Sequence, residues 1–219
     1  MPAMASVTIA ATYGAGGSVV APAVARQLGL HLVERAIPVP LAEKLAHPLE
    51  FALAEDERRE GPQLRRLLAR AVNTSGLFVG VPIPHSDLGL DERIAATERA
   101  LRQIADAEGA VILGRAGVFV LAGRSDTLHV RLDAPPERRL RQAMRHEGID
   151  EATAARQLKD ADRAREAYVR HFHPGLRWDD ACNYHLWLDS TVLSLEACVD
   201  LIVGAARDLF TRAGTGTAS

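Results

Sequence analysis

Apolar and polar residues change their period several times along the chain. Short β-type runs recur at Val7–Ala10, Leu30–Val33, Ala110–Leu113, Thr127–Leu132 and Tyr184–Leu188, and the stretches between them carry apolar residues at helical spacing. This alternation predicts an α/β fold with a mostly parallel sheet, right-handed crossovers and helices on both faces, and ligands are expected at the carboxyl ends of the strands. About 75 residues separate the second and third runs, more than a crossover needs, so an insertion is expected over about residues 40–105. Within it, Leu41–Ala71 is charged and leucine-rich with helical spacing, Gly76–Gly89 has the glycine and proline punctuation of a long loop, and Asp91–Glu108 reads as an exposed helix. After the fourth run, Ala134-Pro135-Pro136-Glu137 opens a helix with proline where a first turn tolerates it, Gly148–Asp150 breaks that helix, and Glu151–Phe172 forms the next. The small, polar tail over 213–219 is expected to be disordered.

A chain of 219 residues suffices for one well-buried α/β core with a small inserted subdomain, so one domain is expected. With 47% hydrophobic residues, 25% charged residues and a net charge of −2, the composition is that of a globular protein, and nothing in it calls for nucleic acid. The two cysteines, Cys182 and Cys198, lie in no CxxC pair and read as ordinary buried thiols in a reducing compartment. There is no signal-peptide pattern and no apolar run of about 18 residues to span a membrane, so a cytoplasmic protein without membrane partners is expected.

The first β run ends in a glycine-rich turn, and an Ala/Val-rich helix follows: Val7 to Leu28 reads VTIAATYGAGGSVVAPAVARQL. That is the layout of a phosphate-binding loop, in which glycines let backbone N–H groups curl round an anion and the helix N-terminus adds positive dipole. In the pattern GxxxxGK[ST] a lysine reaches the outer phosphates and a Ser/Thr hydroxyl binds Mg²⁺. With Gly16 as the second glycine, Ala11 stands at the first glycine, Gly17 at the lysine and Ser18 at the metal hydroxyl. Pro22, past the first turn of the helix, is expected to distort it.

Two arginine-bearing segments could serve the same anion. In Val111–Gly117 (VILGRAG), Arg115 follows a strand end between glycines; its planar fork suits a phosphate, and the alternative is that it caps the turn by bonding carbonyls. The run from Glu137 to His171 carries Arg138, Arg139, Arg141, Arg145, Arg156, Arg163, Arg165 and Arg170, which read either as solvated helix faces or as a mobile cover closing on a polyanion about the Gly148 hinge. A polar group comprising His171, His173, Asp179, Asp180, Cys182 and His185 has residue types that transition metals favour, but it matches no finger or HExxH spacing and reads as a polar loop. Trp178 reads as a packing residue, and no GxSxG elbow supports a hydrolase.

Taken in order, Val7–Gly17, Leu30–Pro38 (LHLVERAIP), Val111–Gly117, Asp160–Arg165 (DADRAR) and Leu188–Val199 (LDSTVLSLEACV) resemble the cytidylate kinase-like family of P-loop nucleoside monophosphate kinases over most of the chain. The resemblance implies a single three-layer P-loop kinase domain with a five-stranded parallel sheet, a nucleotide-binding insertion near 40–105 and an arginine-bearing lid near 136–172. It implies ATP and Mg²⁺ as cofactors, and transfer of the γ-phosphoryl group to a (d)CMP phosphate by positioning and charge neutralisation. On that basis Tyr13, Gly14, Ala15, Gly16, Gly17 and Ser18 form the phosphate-binding segment. Ser18 touches Mg²⁺, Arg115 grips the acceptor phosphate, and Arg163 and Arg165 are the catalytic lid arginines. The sequence departs from cytidylate kinases at Gly17, which replaces the loop lysine, and at Ser18, where many cytidylate kinase-like chains have arginine. It departs again at Ala116, which replaces an aspartate, and at Ala164 and Ala167 in the lid. Three functions stay open: a nucleotide kinase, a non-catalytic nucleotide- or anion-binding module, and a kinase for a non-nucleotide small molecule. A homodimer through an apolar helix face is compatible with each.

Overall fold

A computed structural model describes residues 5–34, 90–114 and 117–215. The expected helix in Leu41–Ala71, the loop Gly76–Gly89, Arg115 and Ala116 lie outside the described residues. Five strands, β1 (Ser6–Ala11), β2 (His31–Glu34), β3 (Ala110–Leu113), β4 (Thr127–Asp133) and β5 (Leu186–Asp189), form one sheet in the order β2-β3-β1-β4-β5. Every pairing is parallel, with Val7 beside Val111 and Leu128, and Val130 beside Leu186. The expected parallel α/β architecture is thus present. Because the chain leaves β1 toward β2 on one side and returns to β4 on the other, the segment after β1 sits where the strand order reverses, the place at which such sheets open a crevice.

Among the described residues, six helices surround the sheet: α1 (Gly17–Leu28), α2 (Leu90–Ala107), α3 (Gly117–Val120), α4 (Pro136–Glu147), α5 (Glu151–Phe172) and α6 (Leu195–Thr215). One face of the sheet presents Val7, Ile9, Val111, Leu128, Val130 and Leu132 to Val20, Val24, Cys198, Ile202 and Val203 of α1 and α6. The other packs Ala110 and Ile112 against Leu101 of α2, Leu121 after α3, and Tyr168 and Val169 of α5. Each fully buried aliphatic side chain contributes about 1.5–3 kcal/mol, so these two clusters hold the three layers together. Helix α2 matches the expected 91–108 helix but is amphipathic, with Leu101 and Ala105 buried, and is not simply exposed.

Two boundaries differ from expectation. Tyr184 is not in the fifth strand; it follows a 3₁₀ turn over Ala181–Asn183, and its hydroxyl donates to the Trp178 carbonyl at 2.6 Å. The tail does not begin at Ala213, because α6 runs through Thr215. Pro22 lies inside an α1 that continues to Leu28; the acceptor it leaves without a helical donor is the carbonyl of Ser18, an exposed residue that water can reach.

On its second face, β4 carries polar residues that are nonetheless buried. His129 lies with Nδ1 2.7 Å from Thr8 Oγ1, its backbone N–H donates to His185 Nδ1 at 2.9 Å, and the two imidazoles stack 5.1 Å apart. Arg131 lays its guanidinium over Trp178 at 4.0 Å and Trp187 at 4.4 Å, and donates to Asp133 and to the Trp178 carbonyl. Trp178 is therefore the packing residue its sequence context suggests.

Burial, and then repulsion from His185, push His129 down to about 4 from 6.5. The unfolded chain binds the extra proton between these values, so the contribution is complete above about pH 6.5 and is lost as the pH falls toward 4. His173, lowered chiefly by burial, acts in the same direction. Urea unfolding is expected to show stability falling by up to about 3 kcal/mol across that window, with the slope largely removed in His129→Asn. A flat wild-type profile would show that His129 is not held neutral in the fold.

Candidate functional site

The loop joining β1 to α1 is fixed at both ends by neighbouring strands. The Thr12 N–H donates to the Leu132 carbonyl at 3.1 Å and its hydroxyl to Asp133 Oδ1 at 2.8 Å, which ties the loop to the end of β4. Ala15 N–H returns to the Thr12 carbonyl at 3.0 Å, closing a turn that puts Gly14 at φ 79°, and Ser190 Oγ after β5 donates to the Ala15 carbonyl at 2.8 Å. Gly16, at φ 74°, is the N-cap of α1. Left-handed backbone at both positions favours glycine, and both are crowded: a side chain on Gly14 would strike the Arg139 carbonyl, and one on Gly16 would lie 2.6 Å from Leu195. Beyond the turn, the N–H groups of Gly16, Gly17 and Ser18 donate to no group among the described residues, and Ser18 is exposed at the second position of the helix. Free donors at a helix N-terminus form an anion cradle.

Gly17 occupies the lysine position, and its surroundings explain the substitution. It is buried, and a Cβ there would sit 2.5 Å from the Ala11 methyl and 3.2 Å from Leu113 Cδ1. Ala11, at the first-glycine position, fills the space that any side chain at residue 17 would need. The two departures from the loop pattern are one exchange of volume.

Charge arrives from α4. The buried Arg139 side chain donates from Nε to the Ala134 carbonyl at 2.8 Å, from Nη1 to the Tyr13 carbonyl at 3.1 Å, and from Nη2 to Asp162 Oδ2 at 2.9 Å. Arg138 pairs with Asp189 at 2.7 Å. Partial burial opposes ionisation of Asp189, but the Thr191 hydroxyl and N–H together with Arg138 outweigh it and hold the carboxyl below its ordinary value. Tyr13 reaches the other way: its phenol lies 2.7 Å from Glu147 Oε2 and 2.5 Å from Gln157 Oε1. With a single proton, the phenol donates to Glu147; rotating the Gln157 amide brings its otherwise unsatisfied Nε2 onto the phenol oxygen as donor. Loop and α4–α5 hairpin are thus joined by polar contacts at Tyr13 and Arg139, with Gly14 packed closely against the Arg139 backbone.

The sequence-expected residues divide accordingly. Tyr13, Gly14, Ala15, Gly16, Gly17 and Ser18 lie together in the loop. Arg163 is exposed on α5, the side chain of Arg165 lies outside what is described, and Arg115 falls between Gly114 at the end of β3 and Gly117 at the start of α3. Arg139 was not singled out by sequence; the signal available was its phase with Gln142 and Ala143, which form the buried stripe of α4. No group of three metal-ligating side chains occurs among the described residues. Of the polar group suspected there, Asp179 pairs with Arg177, Asp180 caps the 3₁₀ turn and His185 accepts from β4. Cys182, expected to be buried, is instead exposed on that turn, and Cys198 is the buried thiol.

The model of the cytidylate kinase-like family matches residues 6–192, from the first residue of β1 to just past β5. The chain belongs to the cytidylate kinase-like family. Membership supports phosphoryl transfer in general. A protein from Corynebacterium glutamicum named uronate isomerase is 34% identical over 126 residues, 54% of this chain and 24% of that protein, so this chain spans about a quarter of that relative's length. Among solved structures, an uncharacterized protein from Eubacterium ventriosum superposes with a TM-score of 0.61 at 18% identity, covering 93% of this chain and 99% of its own. A gluconokinase from Sinorhizobium meliloti gives 0.49 at 13% identity, covering 97% of each chain. At 18% identity the Eubacterium ventriosum structure speaks to fold alone.

The Ala11–Gly17 contact predicts strong coupling between the two positions. Gly17→Ala should cost about 1–3 kcal/mol of stability, and Ala11→Gly in the same chain should recover most of it, because the overpacked methyl is removed. Thermal unfolding of the two single variants and the double variant checks this; additive losses would show that the contact does not govern residue 17.

Proposed function

We propose that this chain transfers the γ-phosphoryl group of ATP to the phosphate of a nucleoside monophosphate, with (d)CMP the favoured acceptor. The observation that carries the reading is the fixed loop at the switch point of the sheet, whose N–H groups at Gly16, Gly17 and Ser18 point out of a helix N-terminus in a family of kinase-like proteins. These donors fit a polyphosphate, and the exposed Ser18 hydroxyl beside them fits a metal that takes its other ligands from phosphate oxygens and water. Mg²⁺ supplies neutralisation of charge developing between the β- and γ-phosphates. The chain's own part is positioning: Gly14 and Gly16 let the backbone face the anion, Ser18 holds the metal, Arg115 orients the acceptor phosphate, and Arg163 and Arg165 approach from α5 to balance charge and exclude water. We place this activity in the cytoplasm, in keeping with the sparse cysteines; no described helix is long and apolar enough to cross a membrane.

A second reading keeps the transfer and changes the acceptor. The 34% identity to a protein named uronate isomerase favours a sugar acid over a nucleotide, and Ala116, Ala164 and Ala167 replace residues associated with the nucleotide in cytidylate kinases.

Both readings are separated by Mg²⁺-dependent turnover of ATP against CMP, dCMP, UMP, AMP, GMP and a set of hexuronic and hexonic acids, with ATP binding followed by calorimetry. Transfer to CMP or dCMP is expected; transfer to a sugar acid alone replaces the first reading by the second, and ATP binding without any transfer leaves an anion-binding module. In an active preparation, Arg115→Ala should raise the acceptor KM at least about tenfold with ATP affinity unchanged, as loss of a bidentate phosphate contact does. Ser18→Ala should remove the Mg²⁺-dependent part of ATP binding; unchanged Mg²⁺ dependence would shift the metal away from this hydroxyl.

A further inference from the structure

The lysine-free loop needs a positive charge, and Arg139 is held against it in a particular way. The inner edge of its guanidinium is pinned by main-chain carbonyls, Nε on Ala134 and Nη1 on Tyr13, while its own backbone presses on Gly14. The outer edge presents Nη1 and Nη2 side by side to Oδ1 and Oδ2 of Asp162, at 3.5 and 2.9 Å. That is the two-pronged geometry in which arginine also receives a phosphate. The partners differ in exposure: the Arg139 side chain is 5% exposed and Asp162 35%. The other nearby carboxylate, Asp133, stands 3.7 Å from Nε and already accepts two hydrogen bonds from Arg131. Asp162 is thus the more exchangeable of the two partners, and its displacement would uncover a buried guanidinium edge beside the loop.

We infer that Arg139 is the phosphate-binding cation of this loop and that the Asp162 carboxylate is the group an incoming phosphate displaces. The inference rests on the reading of the loop as a phosphate site. It makes Asp162 a built-in competitor: the resting ion pair keeps the buried charge neutralised, and the more highly charged anion takes its place because it adds the N–H donors of Gly16, Gly17 and Ser18 to the same fork. A structural counter-ion behaves oppositely, since weakening it loosens Arg139 and with it the Tyr13 carbonyl.

The test is calorimetric binding of inorganic pyrophosphate to wild type, Asp162→Asn and Asp162→Glu. Asparagine retains a hydrogen-bond acceptor for Arg139 but no charge, so pyrophosphate should bind about three- to tenfold more tightly, whereas Asp162→Glu, which keeps the competing carboxylate, should bind no better than wild type. Equal or weaker binding by Asp162→Asn, with wild type binding normally, overturns the inference and leaves Asp162 a structural partner. Failure of pyrophosphate to bind any of the three proteins overturns the reading of the loop together with it.

Discussion

The contact on which the site depends is the approach of α1 to the end of β1, where Gly17 lies against the Ala11 methyl and Leu113. Helix α1 starts within six residues of the strand, so its first turn stands directly over the sheet and shares volume with the strand it has just left. Ala11 takes that volume, and residue 17 has none. A lysine at this position would have to project through the space that the alanine fills. The missing lysine is thus a packing consequence, settled between two residues of one strand–loop–helix unit. Any cation serving the loop must come from elsewhere in the chain.

The unit tolerates this because its other attachments are polar and specific. Thr12 to Asp133, Ser190 to the Ala15 carbonyl and Arg139 to the Tyr13 carbonyl fix the loop from β4, β5 and α4 in turn. These bonds leave the outward N–H groups uncommitted and satisfy the carbonyls that would repel an anion. The same polar economy runs along the second face of β4, where His129 and Arg131 are buried because Thr8, His185, Asp133 and the indoles of Trp178 and Trp187 meet their needs. One face of the sheet is held by aliphatic packing and the other partly by neutral or paired polar groups, so acid is expected to act first on the second.

Much of the fold was legible in the sequence. Parallel strands buried on both faces read as short Val/Ile-rich runs, and Gly148 with Asp150 marked the α4–α5 break through a left-handed cap and a side chain accepting from Thr153. The fifth strand begins two residues later than its residue types suggest because Tyr184 and His185 look like strand residues, whereas the hydroxyl of the first bonds the Trp178 carbonyl and the ring of the second accepts from β4. The loop glycines were legible as a pattern. Arg139 was not, because eight arginines crowd this region and only the packed phase of α4 distinguishes the buried one. The meaning of Ala11 was equally hidden: its effect on residue 17 is a contact between positions six apart that no pattern of residue types displays.

Replacing a lysine by an arginine held on main-chain carbonyls changes how charge can act. A lysine on its flexible stem can follow a phosphoryl group as it moves; a guanidinium bonded to the Ala134 and Tyr13 carbonyls cannot, and its directional donors reward one placement of the anion. Such a site gains in preorganisation what it loses in reach, which favours tight positioning of the phosphates nearest the loop. Charge that accompanies the transferred group in the proposed reaction would then have to come from a side chain that is not itself pinned. Helix α5 is packed on the sheet through Tyr168 and Val169 and linked to the loop through Gln157 and Asp162, so on the proposed reading it is the exposed Arg163 side chain, not the helix, that would move to bring it.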